Sequence, residues 1–286
     1  MANRQYQELE VSEGVYVPQP AMDYPQENPF ERTLFPKHVK DIVFDEHYPY
    51  LDDSITYKFN TIWGYYLIVH FFLRLKLRLQ MGLRIKGREV LKQYKQELSH
   101  GAITIANHVY RLDCPCVLLA VNAKHTTRIP MFAPNFRTKD GFFMRLAGGV
   151  PIPDSATNMS ALKKFNEAFD EFHRRGWWFH IFPEACRWDF YKPLRPFQKG
   201  AFTMSYKYAK PLLPCVITYR ERKGIFRLLG KKDMPLLTIT IGEPILPDTT
   251  QPRKTEVERL REVAHAQMTK MAGIIYNPWP AAWENQ

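Results

Sequence analysis

The sequence predicts an α/β fold in which a mixed, mainly parallel sheet is flanked by helices. Apolar runs of strand length recur through the body of the chain, and segments of helical periodicity lie between them. The clearest helix has Leu162, Phe165, Phe169 and Phe172 on one face and ends at Gly176. Polar residues follow two of the apolar runs directly, which is typical of functional strand ends in α/β domains.

Five apolar runs are predicted to be strands because each is short and bounded by glycine, proline or polar residues. They are 101–106, 129–132, 177–182, 212–217 and 236–241. Pro115 suits the first turn of the helix that follows the first run, with Asp113 near its N-terminus. Thr255 and Glu258 have the spacing of a capping box that would open the last helix.

Length and composition exclude several classes of protein. The 286 residues suit one large domain or two small ones, and a hydrophobic content of 45% excludes a fully disordered chain. No run of about 18 uncharged apolar residues occurs, so no membrane-spanning helix is expected. The start of the chain lacks a secretory pattern, and four cysteines are too few for a disulfide scaffold. We therefore expect reduced thiols in a cytosolic setting, and their spacing does not predict a metal site.

Charge is distributed unevenly along the chain. The total is 40 − 29 = +11, but residues 1–53 carry 4 basic and 11 acidic residues, leaving a net of +18 for residues 54–286. Residues 1–53 also contain six prolines and no apolar periodicity, so we predict an acidic, proline-rich N-terminal arm whose aromatic residues pack in part against the body. The basic body suits nucleic acid, anionic lipid or an acidic partner.

Residues 54–81 are predicted to associate with a membrane. The 15 residues from Phe59 to Leu73 carry no formal charge and are rich in aromatic side chains, and Arg74, Lys76 and Arg78 follow them. This pattern is typical of a monotopic helix at an anionic surface, although a buried core helix is the alternative. From Leu73 to Leu79 apolar and basic residues alternate with a strand period, so the conformation stays open there, with the leucines expected on one side and the cations on the other. We expect a peripheral or monotopic protein at the cytoplasmic face of the membrane.

A second segment, 220–232, mixes apolar residues with cations. It contains 6 basic residues and 1 acidic residue and lies between two predicted strands, so it is predicted to be a hairpin loop. A solvated turn is the more common reading of a charge run. Apolar residues among the cations instead suit a lipid surface or an acidic carrier protein.

The first chemical constellation is His108 and Asp113, which stand where a strand ends and a helix begins. A histidine can remove a proton from a hydroxyl or thiol, and a carboxylate can fix its tautomer and stabilise the imidazolium. A turn between strand and helix can bring residues five apart within hydrogen-bond reach. The spacing alone also fits surface or capping residues.

The second constellation follows the apolar run 177–182. Glu184 and Arg187 lie in a loop opened by Pro183, and Lys199 precedes Gly200 at the start of a predicted helix. A guanidinium, an ammonium and a helix N-terminus together suit a phosphate. The alternative is an ordinary structural Glu/Arg pair with a capping lysine. His180, within the run itself, is read as a core residue.

In this order, the constellations resemble the PlsC-type glycerolipid acyltransferases, which include the 1-acylglycerol-3-phosphate acyltransferases. The resemblance covers roughly residues 60–250, and the order and spacing of its blocks make it specific. The matching blocks are Asn107-His108 to Asp113 (NHx4D), Gly148-Gly149-Val150-Pro151-Ile152, Phe182-Pro183-Glu184 with Arg187 (FPEGTR), Lys199-Gly200-Ala201, Lys210-Pro211-Leu212-Leu213-Pro214 and Ile241-Gly242-Glu243-Pro244-Ile245.

The chain departs from the family pattern at three places. In the first block, Tyr110 and Arg111 stand where a serine and an aromatic residue are common. Ala185 and Cys186 stand where the family usually has Gly and Thr, and Asp154-Ser155 stands where the second block usually ends in an arginine implicated in binding the acceptor phosphate. The candidates to supply the missing charge are Arg111, Arg137 and Arg145. Because His108 and Asp113 are intact, the chain is read as an active enzyme rather than an inactive scaffold.

The resemblance implies the glycerolipid acyltransferase fold for residues 82–286 and transfer of a fatty acyl group to lysophosphatidic acid. The donor would be an acyl-carrier-protein or coenzyme A thioester, with no cofactor and no metal. It implies that His108, oriented by Asp113, is the general base and that Arg187, Lys199, Arg111 and Glu184 bind the acceptor, with ordering of the loop as a second role for Glu184. The alternatives are another lysophospholipid or a non-phosphorylated acceptor. A basic nucleic-acid-binding protein is the rival from another class, but no binding module is apparent, so no nucleic-acid partner is expected.

Overall fold

The computed structural model describes residues 4–154, 158–230 and 234–283. In chain order, its strands are β1 (Glu10–Val11), β2 (Arg84–Lys86), β3 (Ile103–Ala106), β4 (Ile129–Met131), β5 (Gly149–Pro151), β6 (Phe179–Ile181), β7 (Leu212–Arg220), β8 (Leu236–Ile241) and β9 (Ile274–Tyr276). The α-helices are α1 (Arg4–Glu8), α2 (Ile55–Gly64), α3 (Arg74–Met81), α4 (Arg88–Gln93), α5 (Asp113–Ala120), α6 (Gly141–Leu146), α7 (Met159–Arg174), α8 (Gly200–Tyr208) and α9 (Arg253–Met271).

The central sheet has the order β2-β8-β7-β3-β6. Its β2/β8, β3/β7 and β3/β6 pairs are parallel, whereas β7 and β8, which are consecutive in the chain, pair antiparallel. The parallel pair β4/β5 extends this sheet through a bridge from Arg128 to Phe179 of β6. The predicted mixed, mainly parallel sheet flanked by helices is therefore confirmed.

Both faces of the sheet are covered, which is why its central strands are mainly apolar and buried. Successive side chains of a strand point to opposite faces. In β7, Leu213, Cys215 and Ile217 accordingly join a core under α5 and the helical segment 55–81, whereas Leu212 and Val216 join a core under α7, α8 and α9.

Residues 55–81 form one continuous helical segment, in which a π-helical stretch, Tyr65–Leu73, links α2 to α3. Its buried side chains recur at multiples of four residues: Thr61, Tyr65, Val69, Leu77 and Met81. A four-residue repeat overshoots an α-helical turn by about 40°, and the wider π turns rotate the stripe back toward the core. The described residues include no helix long and apolar enough to cross a membrane.

The conformation left open at 73–79 is helical. In a helix, residues two apart lie on nearly opposite sides, so Leu77 is buried while Leu75 and Leu79 are exposed. The expectation that the leucines share one side is therefore wrong.

The predicted capping box is also wrong, because α9 begins at Arg253, before Thr255. The carboxylate of Glu258 pairs instead with Lys199 and Arg261. Of the segment 220–232, Arg220 is the last residue of β7 and residues 221–230 follow it toward β8. Lys231 and Lys232 fall outside the described residues, as does Ser155.

The N-terminal arm packs against the body over most of its length. β1 pairs with β9, and the rings of Tyr24, Phe44 and Tyr50 are buried. Two of the arginines proposed above to replace the missing second-block arginine form ion pairs at the junction of the arm and the body. Arg137 pairs with Asp154 and donates to the Ile42 carbonyl, and Arg145 pairs with Asp52.

Candidate active site

The turn between β3 and α5 brings His108 and Asp113 together. His108 Nδ1 lies 2.6 Å from Asp113 Oδ2. The carboxylate is buried, whereas the imidazole remains 22% exposed. Within the described ranges, the Nε2 atom has no hydrogen-bond partner. The geometry leaves Nε2 as the imidazole atom available to a substrate.

Backbone donors hold the Asp113 carboxylate in place. Its Oδ2 accepts from the amides of Val109 (3.0 Å) and Tyr110 (3.3 Å), and its Oδ1 accepts from the amide of Cys114 (2.7 Å). Held by these three N–H donors, the carboxylate is positioned to accept a hydrogen bond from His108 Nδ1–H. This arrangement fixes the tautomer in which Nε2 is a base.

Glu184 follows β6 and supports the His108 backbone. Its Oε2 accepts from the His108 amide (2.8 Å) and from Arg195 Nη2 (3.0 Å), and its Oε1 accepts from the Arg195 amide (2.9 Å). The side chain is only 1% exposed, so its oxygens are not open to a substrate. Of the two roles stated for Glu184, this geometry fits ordering of the loop and not direct substrate contact.

Arg195 is a site residue that the sequence reasoning missed. Its guanidinium is fully buried, and besides Glu184 it donates to the carbonyls of Pro29 (2.9 Å) and Cys186. It therefore connects the N-terminal arm to the loop that holds His108. Only the two prolines around Leu194 and Arg195 mark this segment in the sequence, and they do not reveal a buried charge.

The three cations predicted to bind the phosphate differ in their partners. Arg187 Nε lies 2.8 Å from Asp189 Oδ1, and burial raises the pKa of that carboxyl. Lys199 precedes α8 and its Nζ lies 2.9 Å from Glu258 of α9. Arg111 is exposed in the turn after His108. The structure thus gives Arg187 and Lys199 carboxylate partners, whereas Arg111 has no ion pair within the described ranges.

Aromatic rings pack beside the imidazole of His108. The ring of Phe182 stacks on His108 at 4.1 Å between centroids, and the edge of His180 meets Phe182 at 4.4 Å. His180 is fully buried, as expected of a core residue, and its Nδ1 lies 2.9 Å from Thr104 Oγ1. Burial lowers the pKa of His180 to about 4, so it is neutral at pH 7.

The departure from the family pattern at Ala185 has a structural consequence. Ala185 adopts φ 62°, in the left-handed region that favours glycine. The adjacent Cys186 is buried, and its Sγ donates to the carbonyl of Glu31 at 3.4 Å. Cys186 therefore packs between the loop that carries Glu184 and the N-terminal arm. In the described ranges, no three His, Cys, Asp or Glu side chains gather as a metal ion would require.

Residues 82–218 match the Acyltransferase family, and this range includes the His108–Asp113 pair and the Glu184 loop. The matched range runs from just before β2 into β7.

One solved structure similar to this chain is the 1-acyl-sn-glycerophosphate (LPA) acyltransferase PlsC from Thermotoga maritima. The two chains share 17% sequence identity, the match covers 77% of this chain and 99% of that one, and the TM-score is 0.44. No curated protein matches this chain in sequence. Because this match ends within β7, the arm, the 55–81 segment and α9 lie outside it.

Proposed function

We propose that this protein transfers a fatty acyl group from an acyl-carrier-protein or coenzyme A thioester to the free hydroxyl of lysophosphatidic acid, in phospholipid biosynthesis. The observation that supports this most strongly is the 2.6 Å contact between His108 Nδ1 and Asp113 within the acyltransferase domain. No cofactor or metal enters the proposed reaction.

The proposed reaction proceeds by direct attack of the acceptor. His108 Nε2 removes the hydroxyl proton as the oxygen attacks the thioester carbonyl, and Asp113 stabilises the imidazolium. Backbone N–H groups stabilise the oxyanion. The new ester C–O bond forms and the thioester C–S bond breaks. The leaving sulfur takes the proton from His108 and departs as a thiol, which returns His108 to its neutral form. The phosphate of the acceptor is assigned to Arg187, Lys199 and Arg111, whereas Glu184 orders the loop.

The alternative is an acceptor other than lysophosphatidic acid. The presence of Asp154 favours this alternative. Asp154 stands where the family has an arginine, and its carboxylate pairs with Arg137. Another lysophospholipid or a non-phosphorylated alcohol would need less positive charge at position 154.

A crossed assay of the purified full chain separates these acceptors. Coenzyme A and acyl-carrier-protein thioesters are each combined with lysophosphatidic acid, lysophosphatidylcholine and monoacylglycerol, and acylated product is quantified by mass spectrometry. We expect lysophosphatidic acid to give the highest kcat/KM. Turnover of monoacylglycerol alone would contradict a phosphorylated acceptor, and absence of product with every pair would overturn acyl transfer.

The 55–81 segment supports a peripheral or monotopic position at the cytoplasmic face of an anionic membrane. Phe59, Trp63 and Phe71 are each about 60% exposed on it, and a large exposed apolar surface marks an interaction site. Phe142 and Phe143 of α6 are exposed as well, and α6 packs against α2. The basic residues of α3 follow in sequence, as in interfacial helices.

Charges placed on this apolar surface are expected to weaken membrane binding. We expect Trp63→Glu/Phe71→Glu to lower sedimentation with vesicles of anionic phospholipid by at least roughly tenfold, because a charge at an apolar interface costs several kcal/mol. The matched control is Ile275→Glu, which changes an equally exposed residue of β9. Equal binding by both variants, or tight RNA binding without vesicle binding, would contradict the proposal and favour the nucleic-acid alternative.

A further inference from the structure

The N-terminal arm reaches the loop that carries Glu184. The carbonyl of Pro29 accepts from Arg195, and the carbonyl of Glu31 accepts from Trp188 Nε1 (3.1 Å) and Cys186 Sγ. These bonds hold the backbone immediately before Arg32 against the loop. The next residue of the arm, Arg32, therefore lies beside the loop that carries Glu184.

Arg32 is half-buried and has no counter-ion among the residues that the structure describes. Its Cζ lies 3.7 Å from the centroid of the Phe132 ring, a cation–π contact. In the described ranges, neither a carboxylate nor a hydrogen-bond acceptor pairs with the guanidinium. Burial lowers the pKa of Arg32, although an arginine still stays protonated at neutral pH. By contrast, Arg137 and Arg145, which also meet the arm, each have a carboxylate partner.

The ring that carries Arg32 stands at the same edge of the sheet as the general base. Phe132 directly follows β4, Phe182 follows β6 and His108 lies just beyond β3. β3 and β6 are parallel, and the bridge from Arg128 to Phe179 continues the same direction into β4. The carboxyl ends of parallel strands meet at one edge, so Arg32 and His108 share it.

We propose that Arg32 binds the phosphate of the acceptor, supplying from the N-terminal arm the cation that the second block lacks. This inference rests on the proposed acyl transfer. A guanidinium with its donors unpaired is suited to bidentate binding of a phosphate. Arg187 and Lys199 have their charges matched by Asp189 and Glu258, whereas Arg32, like Arg111, has no carboxylate partner among the described residues.

The acceptor phosphate fits this position better than a phosphate of the donor. In lysophosphatidic acid, only the glycerol carbons separate the phosphate from the reacting hydroxyl. In both thioester donors, the whole pantetheine chain lies between the reacting carbonyl and the nearest phosphate. Arg32 lies beside the loop whose Glu184 binds the His108 backbone. We therefore assign to Arg32 the phosphate of the acceptor, which is separated from the reacting group by fewer bonds than a donor phosphate.

The test compares Arg32→Gln and Arg32→Lys with Lys37→Gln, which removes an exposed cation from the same arm. For Arg32→Gln we expect KM for lysophosphatidic acid to rise roughly 10- to 100-fold, because hydrogen bonds to a charged group are lost. KM for the thioester and turnover of monoacylglycerol should stay unchanged. Arg32→Lys should recover part of the loss, and Lys37→Gln should behave like the wild type.

The outcomes separate this inference from the proposed function. An unchanged acceptor KM in Arg32→Gln, a rise in the thioester KM alone, or an equal rise with monoacylglycerol would overturn the role of Arg32 while leaving acyl transfer intact. If the wild type acylates no acceptor, titration calorimetry with glycerol 3-phosphate still decides: weaker binding to Arg32→Gln than to Lys37→Gln supports the site, and equal binding overturns it. Thermal midpoints of all variants identify any loss due to unfolding.

Discussion

Replacing His108 with alanine is expected to lower kcat/KM for acyl transfer by about 10²–10⁴-fold, the usual contribution of a positioned general base. The imidazole is the only part of the pair that reaches the surface, since Asp113 is buried behind it. The variant should fold, because the turn is held by backbone bonds to Asp113 and to Glu184 that do not involve the ring. Steady-state kinetics with lysophosphatidic acid and circular dichroism measure the two effects.

The control for that experiment is His47→Ala, because His47 is exposed on the arm. Asp113→Asn provides a second comparison, in which the shape is kept but the charge that fixes the tautomer is lost. Turnover of His108→Ala equal to that of His47→Ala would show that His108 is not the base. A loss of activity with collapse of the circular dichroism signal would instead assign His108 a structural role.

Replacing Arg195 with methionine is expected to destabilise the protein by about 3–5 kcal/mol, because it leaves the buried Glu184 carboxylate without its counter-ion. The guanidinium also satisfies the carbonyls of Pro29 and Cys186, which would lose a buried donor. Urea unfolding of the wild type and the variant measures the change. Arg174→Met, which breaks an exposed helical pair with Glu171, is the matched control and should change stability little.

A second variant separates the stability of this pair from its effect on the site. In Arg195→Met/Glu184→Leu the buried charges are both removed, so stability should partly recover. Activity should not recover, because the His108 amide has lost the Glu184 oxygen that holds it. Equal stability of the single variant and the wild type would contradict the assigned role of Arg195.

The sequence alone predicted the parts of the site that are local in the chain. His108 and Asp113 are five residues apart, and the strand-to-helix turn that joins them is dictated by an apolar run followed by a polar segment and a proline. The α/β class followed in the same way from the alternation of apolar runs and helical stretches. Such features depend on neighbours in sequence, where the periodicity of side chains and the chemistry of turns decide the outcome.

The tertiary structure decided everything that joins distant segments. The bonds from Arg195 to Glu184 and to Pro29, the pairing of Lys199 with Glu258 and the contact between Arg32 and Phe132 all link residues far apart in the chain or separate elements. Likewise, the alternating pattern at 73–79 left the local conformation open, and packing of the helical segment against the core selected a helix. The free energy of burying and pairing a charge depends on which elements pack around it, and no local pattern encodes that packing.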